Sequence, residues 1–258
     1  MGDSTIPTIS AYIITKDEEH AIGRAIGSVR WMDEVVVLDS GSADGTTDIA
    51  ERMGAKVFVE PFRGFVEQKN RAMDLCTGDW MFNLDADEEM TPELAESIRK
   101  VLFAFGTSGG SEVFAAARKT WYMGKWMLHC GWYPEYRERL ARRDSARWSG
   151  EMLHERLAGP GRVGRLQGDL LHRPYADLGN HLKRIDLYSG LWASREFSRG
   201  RKSRTIDLVM RPAASLLKMY VLRAGFLDGM QGFVASAMGA WYTFLKYAKL
   251  QERAKESG

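Results

Sequence analysis

The first half of the chain alternates short apolar runs with segments of helical periodicity. Apolar runs of strand length lie at residues 9–14, 34–38, 56–59 and 80–84. Segments with apolar residues at helical spacing lie between them, at residues 21–29, 46–53 and 65–76. Strands that alternate with helices in this way predict parallel β-α-β units, with helices on both faces of one sheet.

Two helix starts have capping signals. Thr15 precedes Glu18 by three residues, which is the spacing of a capping box, so we expect a helix directly after the first strand. Thr91 precedes Pro92, which is typical of a cap followed by the first helical residue. A further helix is therefore predicted from Pro92.

The pattern changes from residue 112 to about residue 172. Apolar and aromatic residues are interleaved there with Arg, Gly and Pro, which predicts short mixed strands and loops. Helical periodicity returns after Tyr175 and continues to the end, and the surface changes character near Arg199. We therefore expect an α/β domain at residues 1–198 and a helical region at residues 199–258.

Composition and charge exclude several classes of protein. The 258 residues are 45% hydrophobic and 27% charged, with a net charge of +2, which does not indicate a nucleic-acid binder. Cys76 and Cys130 are too few for a disulfide scaffold and are read as two reduced thiols. Neither a secretory signal nor a run of ~20 charge-free apolar residues is found. We expect the chain in the cytoplasm or on a membrane face that looks into it.

An acidic cluster directly follows the fourth predicted strand. It contains Asp85 and Asp87 in an Asp-x-Asp arrangement, with Glu88 and Glu89 after them. Ligands of open parallel sheets bind beyond the carboxyl ends of the strands, and carboxylates there suit Mg²⁺ or Mn²⁺ bridging to phosphates. Such an ion would neutralise the charge on a departing diphosphate. Alternatively, these are solvated residues that favour the dipole of the following helix.

Other polar residues end strands at the same edge of the predicted sheet. Asp39 follows the second strand and could accept hydrogen bonds from a nucleobase or ribose, while Thr15 and Glu18 follow the first. Each also has a purely structural interpretation, as a helix cap or as the start of a turn. No Gly-x-Gly-x-x-Gly follows the first strand and no Gly-Lys-Ser or Gly-Lys-Thr occurs, so dinucleotide and P-loop sites are excluded.

The C-terminal region combines basic and apolar residues. Residues 195–223 carry an excess of basic side chains: Arg195, Arg199, Arg201, Lys202, Arg204, Arg211, Lys218 and Arg223, against Glu196 and Asp207. Interleaved Leu, Val and Met residues make this pattern typical of interfacial helices, in which each cation near an anionic leaflet contributes about 1 kcal/mol. Packing against the α/β domain or a second subunit is the alternative. Lys246 and Lys249 interrupt the last apolar segment, which argues against a spanning helix.

The order of the motifs resembles family 2 glycosyltransferases of the GT-A fold. The resemblance lies in residues 13–19 and 36–46, in Gln68-Lys69-Asn70, and in residues 77–80 and 84–88. Residues 131–136, 154–156, 225–229 and 244–250 are similar, more narrowly, to the bacterial lipopolysaccharide-core β-1,4-glucosyltransferase branch. The similarity extends from about residue 9 to residue 251.

The resemblance implies a fold, a reaction and a location. The fold would be a mostly parallel twisted sheet flanked by helices, forming a catalytic domain at residues 1–198, with an amphipathic membrane-associated extension at residues 199–258. The reaction would be the inverting, metal-dependent transfer of a hexose, glucose from UDP-glucose, to a lipid-linked saccharide such as the lipopolysaccharide inner core. It would take place peripherally, on the anionic cytoplasmic face of the inner membrane.

The resemblance also implies roles for particular residues. Thr15, Glu18 and Asp39 would hold the nucleoside, with Lys69 nearby. Asp85 would contact the ribose and the metal, and Asp87 would be the firmer ligand of Mg²⁺ or Mn²⁺.

An inverting transferase also needs a general base. Glu135 is the first candidate, although relatives have Asp there, and Glu155 is the second. His154 would be a further metal ligand or would orient its loop. Trp132 and Tyr133 could face a sugar ring or belong to a core. The arginines that follow could bind phosphates or form a solvated strand: Arg137, Arg139, Arg142 and Arg143.

Three other functions are weighed against this one. The chain could transfer a different sugar in surface polysaccharide or glycolipid assembly. A sugar nucleotidyltransferase would need a Gly-rich basic loop after its first strand, which is absent. A non-catalytic, membrane-bound saccharide-binding module would tolerate the loss of Asp85, Asp87 and Glu135.

Overall fold

The four apolar runs of the first half form neighbouring parallel strands, as predicted. We describe them in a computed structural model that covers residues 7–108, 112–150 and 155–256. The strands are β1 (Ile9–Thr15), β2 (Glu34–Asp39), β3 (Lys56–Val59) and β4 (Trp80–Asn83). The helices between them are α1 (Ile22–Val29), α2 (Thr46–Arg52) and α3 (Phe65–Leu75). Their order in the sheet is β3-β2-β1-β4, with parallel pairing throughout.

The sheet continues with strands from the segment for which mixed strands were predicted. The next elements along the chain are β5 (Glu88–Met90), α4 (Pro92–Ser108), β6 (Val113–Tyr122), β7 (Lys125–Trp126) and β8 (Glu135–Arg142). They are followed by β9 (Arg147–Ser149), β10 (Arg156–Ala158) and β11 (Gly164–His172). The order beyond β4 is β8-β6-β11-β5, and the β4–β8 and β11–β5 pairs are antiparallel. The predicted α/β class, with a sheet flanked by helices, is confirmed.

Both faces of the parallel strands are buried. Side chains alternate along β1, so Ile9, Ala11 and Ile13 pack with α1 and α4 on one face. Tyr12 points to the other face and belongs to a cluster with Ala72 and other residues of α3. Full burial of a large apolar side chain contributes about 1.5–3 kcal/mol. The apolar character of the strands therefore explains why helices cover both faces.

One of the two predicted helix starts is wrong. Thr15 is the last residue of β1, and α1 begins only at Ile22, without a side-chain cap. The intervening segment is a turn in which Asp17 has a φ of 53°. In this turn, the backbone amide of Glu18 donates to the hydroxyl of Thr46, 2.8 Å away. A tertiary hydrogen bond thus replaces the expected capping box.

The other predicted helix start is confirmed. α4 begins at Pro92, and the amide of Leu94 donates to the Thr91 hydroxyl at 3.3 Å. Proline has no N–H group to donate. At the first helical position this costs no hydrogen bond, because the first N–H groups of a helix have no acceptor within the helix.

The contacts within the chain group it into two units. The first contains Met1–Arg118 and Tyr136–His172, and the second contains Lys119–Glu135 and Arg173–Gly258. The second unit includes α5 (Leu178–Ser198), α6 (Asp207–Leu217) and α7 (Gly229–Glu256). A π-helical turn (Lys218–Leu222) and a 3-10 turn (Gly225–Asp228) connect α6 to α7. This grouping places α5 with the later helices, whereas the division by function at residues 198 and 199 stays a prediction.

The turn before α7 is fixed by a buried carboxylate within the second unit. Asp228 accepts hydrogen bonds from the amides of Leu128 and His129, at 3.1 and 2.8 Å, and lies 3.3 Å from the ammonium of Lys125. These contacts give the Gly-Phe-Leu-Asp-Gly stretch a structural role. Within the described residues, none of the helices combines the length and the apolar character that crossing a membrane requires.

Candidate active site

Thr15 and Asp39 lie side by side where β1 and β2 end. The parallel register pairs these two residues directly, and both are buried. The Asp39 carboxylate accepts hydrogen bonds from the amides of Gly41 and Ser42, both at 2.8 Å, and from the Ser42 hydroxyl. The Thr15 hydroxyl is buried and has no hydrogen-bond partner among the described residues. It can therefore bond to a ligand at this edge without losing a protein contact.

The two loops at this edge are held together by reciprocal hydrogen bonds. The Asp17 amide donates to the Ser42 hydroxyl and the Ala43 amide donates to the Asp17 carboxylate, both at 2.8 Å. The Glu18 amide is held by Thr46, as described above. The structure thus brings Glu18 to the same edge as Thr15 and Asp39, through the backbone of its loop.

Arg139 connects the acidic cluster to strand β8. Its guanidinium Nη2 lies 2.7 Å from a carboxylate oxygen of Asp85 and 2.7 Å from one of Glu88. Its Nη1 also donates to the amide oxygen of Asn83, the last residue of β4. Arg139 reaches all three because β8 pairs with β4 in antiparallel register, Leu140 opposite Phe82. Hydrogen bonds between a guanidinium and carboxylates are among the stronger ones in proteins.

Lys69 of α3 is a second cation at the same site. Its Nζ lies 3.4 Å from Asp85, 3.9 Å from Glu155 and 4.3 Å from the centroid of the Trp148 ring. Lys69 is only 5% exposed, so its charge is compensated by these carboxylates rather than by water. One oxygen of Glu155 is buried without a hydrogen-bond partner among the described residues. The predicted residues Lys69, Asp85 and Glu155 are thus brought together.

Burial and the two cations act in opposite directions on the carboxylates. Burial raises the pKa of Asp85, but Arg139 and Lys69 outweigh it and hold that pKa well below its usual value. For Glu88, burial raises the pKa and the attraction of Arg139 offsets it only in part. Asp85 is therefore the firmly ionised member of the pair, and its charge is directed at two fixed cations.

Asp87 has a different partner, His172. The Nε2 atom of His172 lies 3.3 Å from an Asp87 carboxylate oxygen, and His172 ends β11, opposite Glu88 of β5. The other ring nitrogen of His172 is buried without a hydrogen-bond partner among the described residues. The sequence analysis missed His172, because only the long-range pairing of β11 with β5 brings it to the acidic cluster.

The Asp87–His172 pair fits a divalent ion that draws its other ligands from a substrate. Carboxylate oxygen and imidazole nitrogen are both metal ligands, and the Nε2 atom of His172 faces the Asp87 carboxylate, 3.3 Å away. In the described ranges, no three or more His, Cys, Asp or Glu residues gather as a complete metal site. An ion here would therefore depend on diphosphate oxygens and water. His154, a predicted ligand, lies outside the described residues.

The remaining candidates have varied surroundings. Glu135 is the first residue of β8 and belongs to the second unit. Arg143 donates to the backbone carbonyls of Cys76 and Gly78, and Arg142 pairs with Glu112 at 3.2 Å. Of the arginines considered as phosphate ligands, these two thus stabilise protein segments, whereas Arg139 lies within the acidic site.

Comparisons with known proteins identify the family of the chain. The family model described as glycosyl transferase family 2 matches residues 10–147, more than half of the chain. The chain is 32% identical to the lipopolysaccharide core biosynthesis glycosyltransferase LpsC of Rhizobium meliloti (strain 1021), over 95% of this chain and 92% of that protein. It is 31% identical to an uncharacterized glycosyltransferase of Rickettsia typhi, over 96% of this chain and 88% of that protein.

A solved structure shares part of the chain. Glucosyl-3-phosphoglycerate synthase from Mycobacterium tuberculosis, in complex with Mn²⁺, UDP and glucosyl-3-phosphoglycerate, is 29% identical with a TM-score of 0.36. The likeness covers 46% of this chain and 45% of that chain, and at this score it adds nothing about the site. The family match and the full-length relatives are sufficient by themselves: the chain belongs to glycosyl transferase family 2.

Proposed function

We propose that this glycosyltransferase moves a hexose, glucose from UDP-glucose, to a lipid-linked saccharide such as the lipopolysaccharide inner core, with inversion at the sugar carbon. The observation that carries the proposal is that two neighbouring carboxylates have different partners. Asp85 is neutralised by Arg139 and Lys69, while Asp87 two residues later faces His172. The similarity to LpsC, named for lipopolysaccharide core biosynthesis, supports the acceptor class.

The nucleoside part of the donor would bind where β1 and β2 end. The Thr15 hydroxyl has no protein partner among the described residues, and Asp39 and Glu18 lie at the same edge. Asp85 would accept hydrogen bonds from ribose hydroxyls, since a carboxylate can accept more bonds than its contacts with Arg139 and Lys69 use. Lys69 would keep the ionised form of Asp85 in place.

Asp87 and His172 would hold Mg²⁺ or Mn²⁺. The bound ion would supply Lewis-acid neutralisation of the departing diphosphate. The protein would orient the carboxylate of Asp87 through His172 on β11, which the antiparallel pairing with β5 fixes in position. Asp85 stays a proposed ligand of lower rank, because two cations already contact its carboxylate.

Glu135 is the proposed general base, and Glu155 is the alternative. A base that removes the proton of the acceptor hydroxyl contributes about 10²- to 10⁴-fold to the rate. Glu155 already has the ammonium of Lys69 at 3.9 Å, next to the Asp85 carboxylate, which favours a role on the donor side. Glu135 would then serve the acceptor.

The helices of the second unit would meet an anionic membrane at the cytoplasmic face of the inner membrane. No residue of α6 is buried, and the exposed fractions of Val209, Leu217 and Leu222 are 64%, 55% and 75%. Arg211 and Lys218 are exposed on the same stretch. Apolar and basic side chains exposed together match the apolar interior and anionic headgroups of a bilayer surface. If this face of the helices bound a second copy of the chain instead, the protein would form dimers and would not bind to vesicles.

The test is release of UDP from UDP-glucose by the full chain, with an inner-core acceptor and with Mn²⁺, Mg²⁺ or a chelator. We expect Asp87→Asn to lower the rate of transfer at least about 100-fold, because a charged ligand of the ion is lost. Asp144→Asn is the matched control, since it changes an exposed turn residue with a φ of 62° that Asn also tolerates. Transfer within twofold of wild type in Asp87→Asn would overturn the proposal.

A further inference from the structure

Three cations converge on two neighbouring aromatic rings in the second unit. The rings of Trp192 on α5 and Tyr247 on α7 have centroids 5.2 Å apart. Lys246 lies over Trp192 at 4.4 Å, and Arg211 lies over Tyr247 at 4.7 Å. Arg201 contacts both rings, at 5.3 and 5.7 Å from their centroids. Successive cations therefore share a ring, and we call Arg201, Arg211 and Lys246 the basic cluster.

The carboxylates nearby do not balance this charge. Glu196 lies 2.7 Å from Arg201 but also 3.5 Å from Arg195 and 3.7 Å from Arg199, and Asp207 lies 2.6 Å from Arg211. These contacts join four arginines to two carboxylates. Lys246 adds a fifth cation, and it has no carboxylate within 4.0 Å in the described part of the chain. Within the basic cluster, Arg201 and Arg211 each pair with one carboxylate, and Lys246 is the cation whose charge no contacting carboxylate of the described residues balances.

The neighbours of Lys246 disfavour its charge. Burial lowers its pKa, repulsion by Arg201 lowers it further, and the attraction of Glu196 offsets these effects only in part. Contact with an aromatic ring contributes about 0.5–1 kcal/mol for an exposed cation, but it adds no negative charge. The rings thus gather the cations without neutralising them.

An anion with several acceptor oxygens would complete this arrangement. Guanidinium groups match the geometry of phosphate oxygens, and an ammonium adds a point charge. We propose that Arg201, Arg211 and Lys246 form a binding site for a phosphate group, separate from the donor site. The group belongs to a lipid headgroup or to a soluble phosphorylated molecule, and the chemistry recognised is the same for both.

A purely structural role makes a different prediction. Arg201 also donates to the Tyr247 hydroxyl at 3.2 Å, so the cluster could serve only to join α5 and α7. In that case phosphate would stabilise wild type and cluster variants equally, through its general exclusion from protein surfaces. A bound phosphate would stabilise only the chain with the intact cluster.

Thermal unfolding distinguishes phosphate binding from a purely structural role. The full chain is unfolded in inorganic phosphate and in chloride at equal ionic strength. We expect phosphate at ten times its Kd to raise the Tm of wild type by about 3–5 °C beyond the rise in Lys246→Met. Lys246→Met keeps most of the side chain's length and should itself have a raised Tm in chloride, because repulsion is relieved. Arg211→Gln should lose the phosphate response as well.

Lys183→Met is the matched control. Lys183 is an exposed lysine of α5, nine residues from Trp192 and hence about 13 Å away along the helix. This variant should keep the wild-type response to phosphate. Equal responses in wild type, Lys246→Met and Arg211→Gln would overturn the proposal.

Vesicles identify the source of the phosphate. If it is a lipid headgroup, Lys246→Met should weaken binding to phosphatidylcholine vesicles containing phosphatidylglycerol about fivefold, and Lys183→Met by less than twofold. Equal vesicle binding by both variants, with the phosphate-dependent Tm retained in wild type, assigns the site to a soluble phosphorylated molecule. Neither result bears on the transferase proposal, because Asp87→Asn should bind phosphate here as wild type does.

Discussion

The guanidinium of Arg139 and the carboxylate of Asp85 form a hydrogen bond of 2.7 Å at the carboxyl edge of the sheet. Arg139 is only 3% exposed, and the same nitrogen lies 2.7 Å from Glu88. A guanidinium stays protonated at any pH at which the protein is folded, so the two carboxylates depend on it for compensation. Arg139 thereby joins strand β8 to the loop that carries Asp85 and Asp87.

Replacing Arg139 with Met should destabilise the protein by about 3–5 kcal/mol, because it leaves buried carboxylates without their cation. The free energy of unfolding in urea measures this loss. Arg142→Met is the matched control on the same strand, since the Arg142 side chain is 51% exposed where it pairs with Glu112. That variant should lose at most about 1 kcal/mol. Equal losses in the two variants would contradict a stabilising role for the Arg139 network.

Loss of His172 should weaken activation by the metal. Removing a residue that only hydrogen-bonds to a metal ligand typically weakens metal binding by about 10- to 100-fold. The variant His172→Ala removes a proposed direct ligand, so it should raise the Mn²⁺ concentration for half-maximal activity at least about tenfold. His20→Ala is the control, because the His20 side chain is 94% exposed. If both variants are activated at the same Mn²⁺ concentration, His172 is not a ligand.

Local sequence patterns predict the parallel half of the sheet and the residues at its edge. The strands β1 to β4 and the helices between them follow from local periodicity. Most of their predicted ends lie within one or two residues of the observed ends. Thr15, Asp39, Asp85 and Asp87 end strands or follow them directly, so the geometry of a parallel sheet is sufficient to bring them to one edge.

Residues brought to that edge by long-range pairing could not be predicted. Arg139 reaches Asp85 through the register of β8 on β4, and His172 reaches Asp87 through that of β11 on β5. Neither pairing leaves a local pattern in the chain. The wrong capping box has the same origin, because the Glu18 amide bonds to the hydroxyl of Thr46, at the start of α2, rather than to Thr15.

The two candidate bases should affect different kinetic constants. If Glu135 removes the acceptor proton, Glu135→Gln should lower kcat at least about 100-fold and leave the KM for the donor nearly unchanged. Glu155→Gln removes a partner of Lys69 and should mainly raise the KM for UDP-glucose. Steady-state kinetics with both substrates measure the two effects, with Glu138→Gln on β8 as the control. A larger loss of kcat in Glu155→Gln would exchange the two roles.

Close backbone approach disfavours a side chain at one glycine of α7. A Cβ atom on Gly232 would lie 1.8 Å from the carbonyl oxygen of Gly225, so Gly232→Ala must displace the turn before α7 and should destabilise the protein by about 1–3 kcal/mol. Gly190 of α5 is the control, because its Cβ would meet only the end of the Lys249 side chain, at 3.7 Å. Gly190→Ala should stabilise by up to about 1 kcal/mol. Thermal unfolding would contradict this account if the two variants shifted the Tm in the same direction.

Glu34 should make the stability of the first unit depend on acid pH. Burial raises its pKa, but hydrogen bonds with Lys56, Ser10 and Thr77 outweigh burial and lower the pKa from 4.5 to about 2. Because the pKa of the folded state is the lower one, the stabilisation is complete above about pH 5 and is lost as the pH falls from 4.5 through 2. Its full size is on the order of 3 kcal/mol.

The pH dependence can be isolated by a difference between variants. Free energies of unfolding in urea for wild type and Glu34→Gln should differ most at pH 6, and the difference should shrink progressively between pH 4.5 and pH 2.5. Other carboxylates titrate in both chains and cancel, and Glu51→Gln, an exposed position on α2, should show no such trend. A wild-type advantage over Glu34→Gln that stayed constant across this range would mean that the Glu34 carboxylate has the same pKa in the folded and unfolded chains, despite its 2.7 Å contact with Lys56.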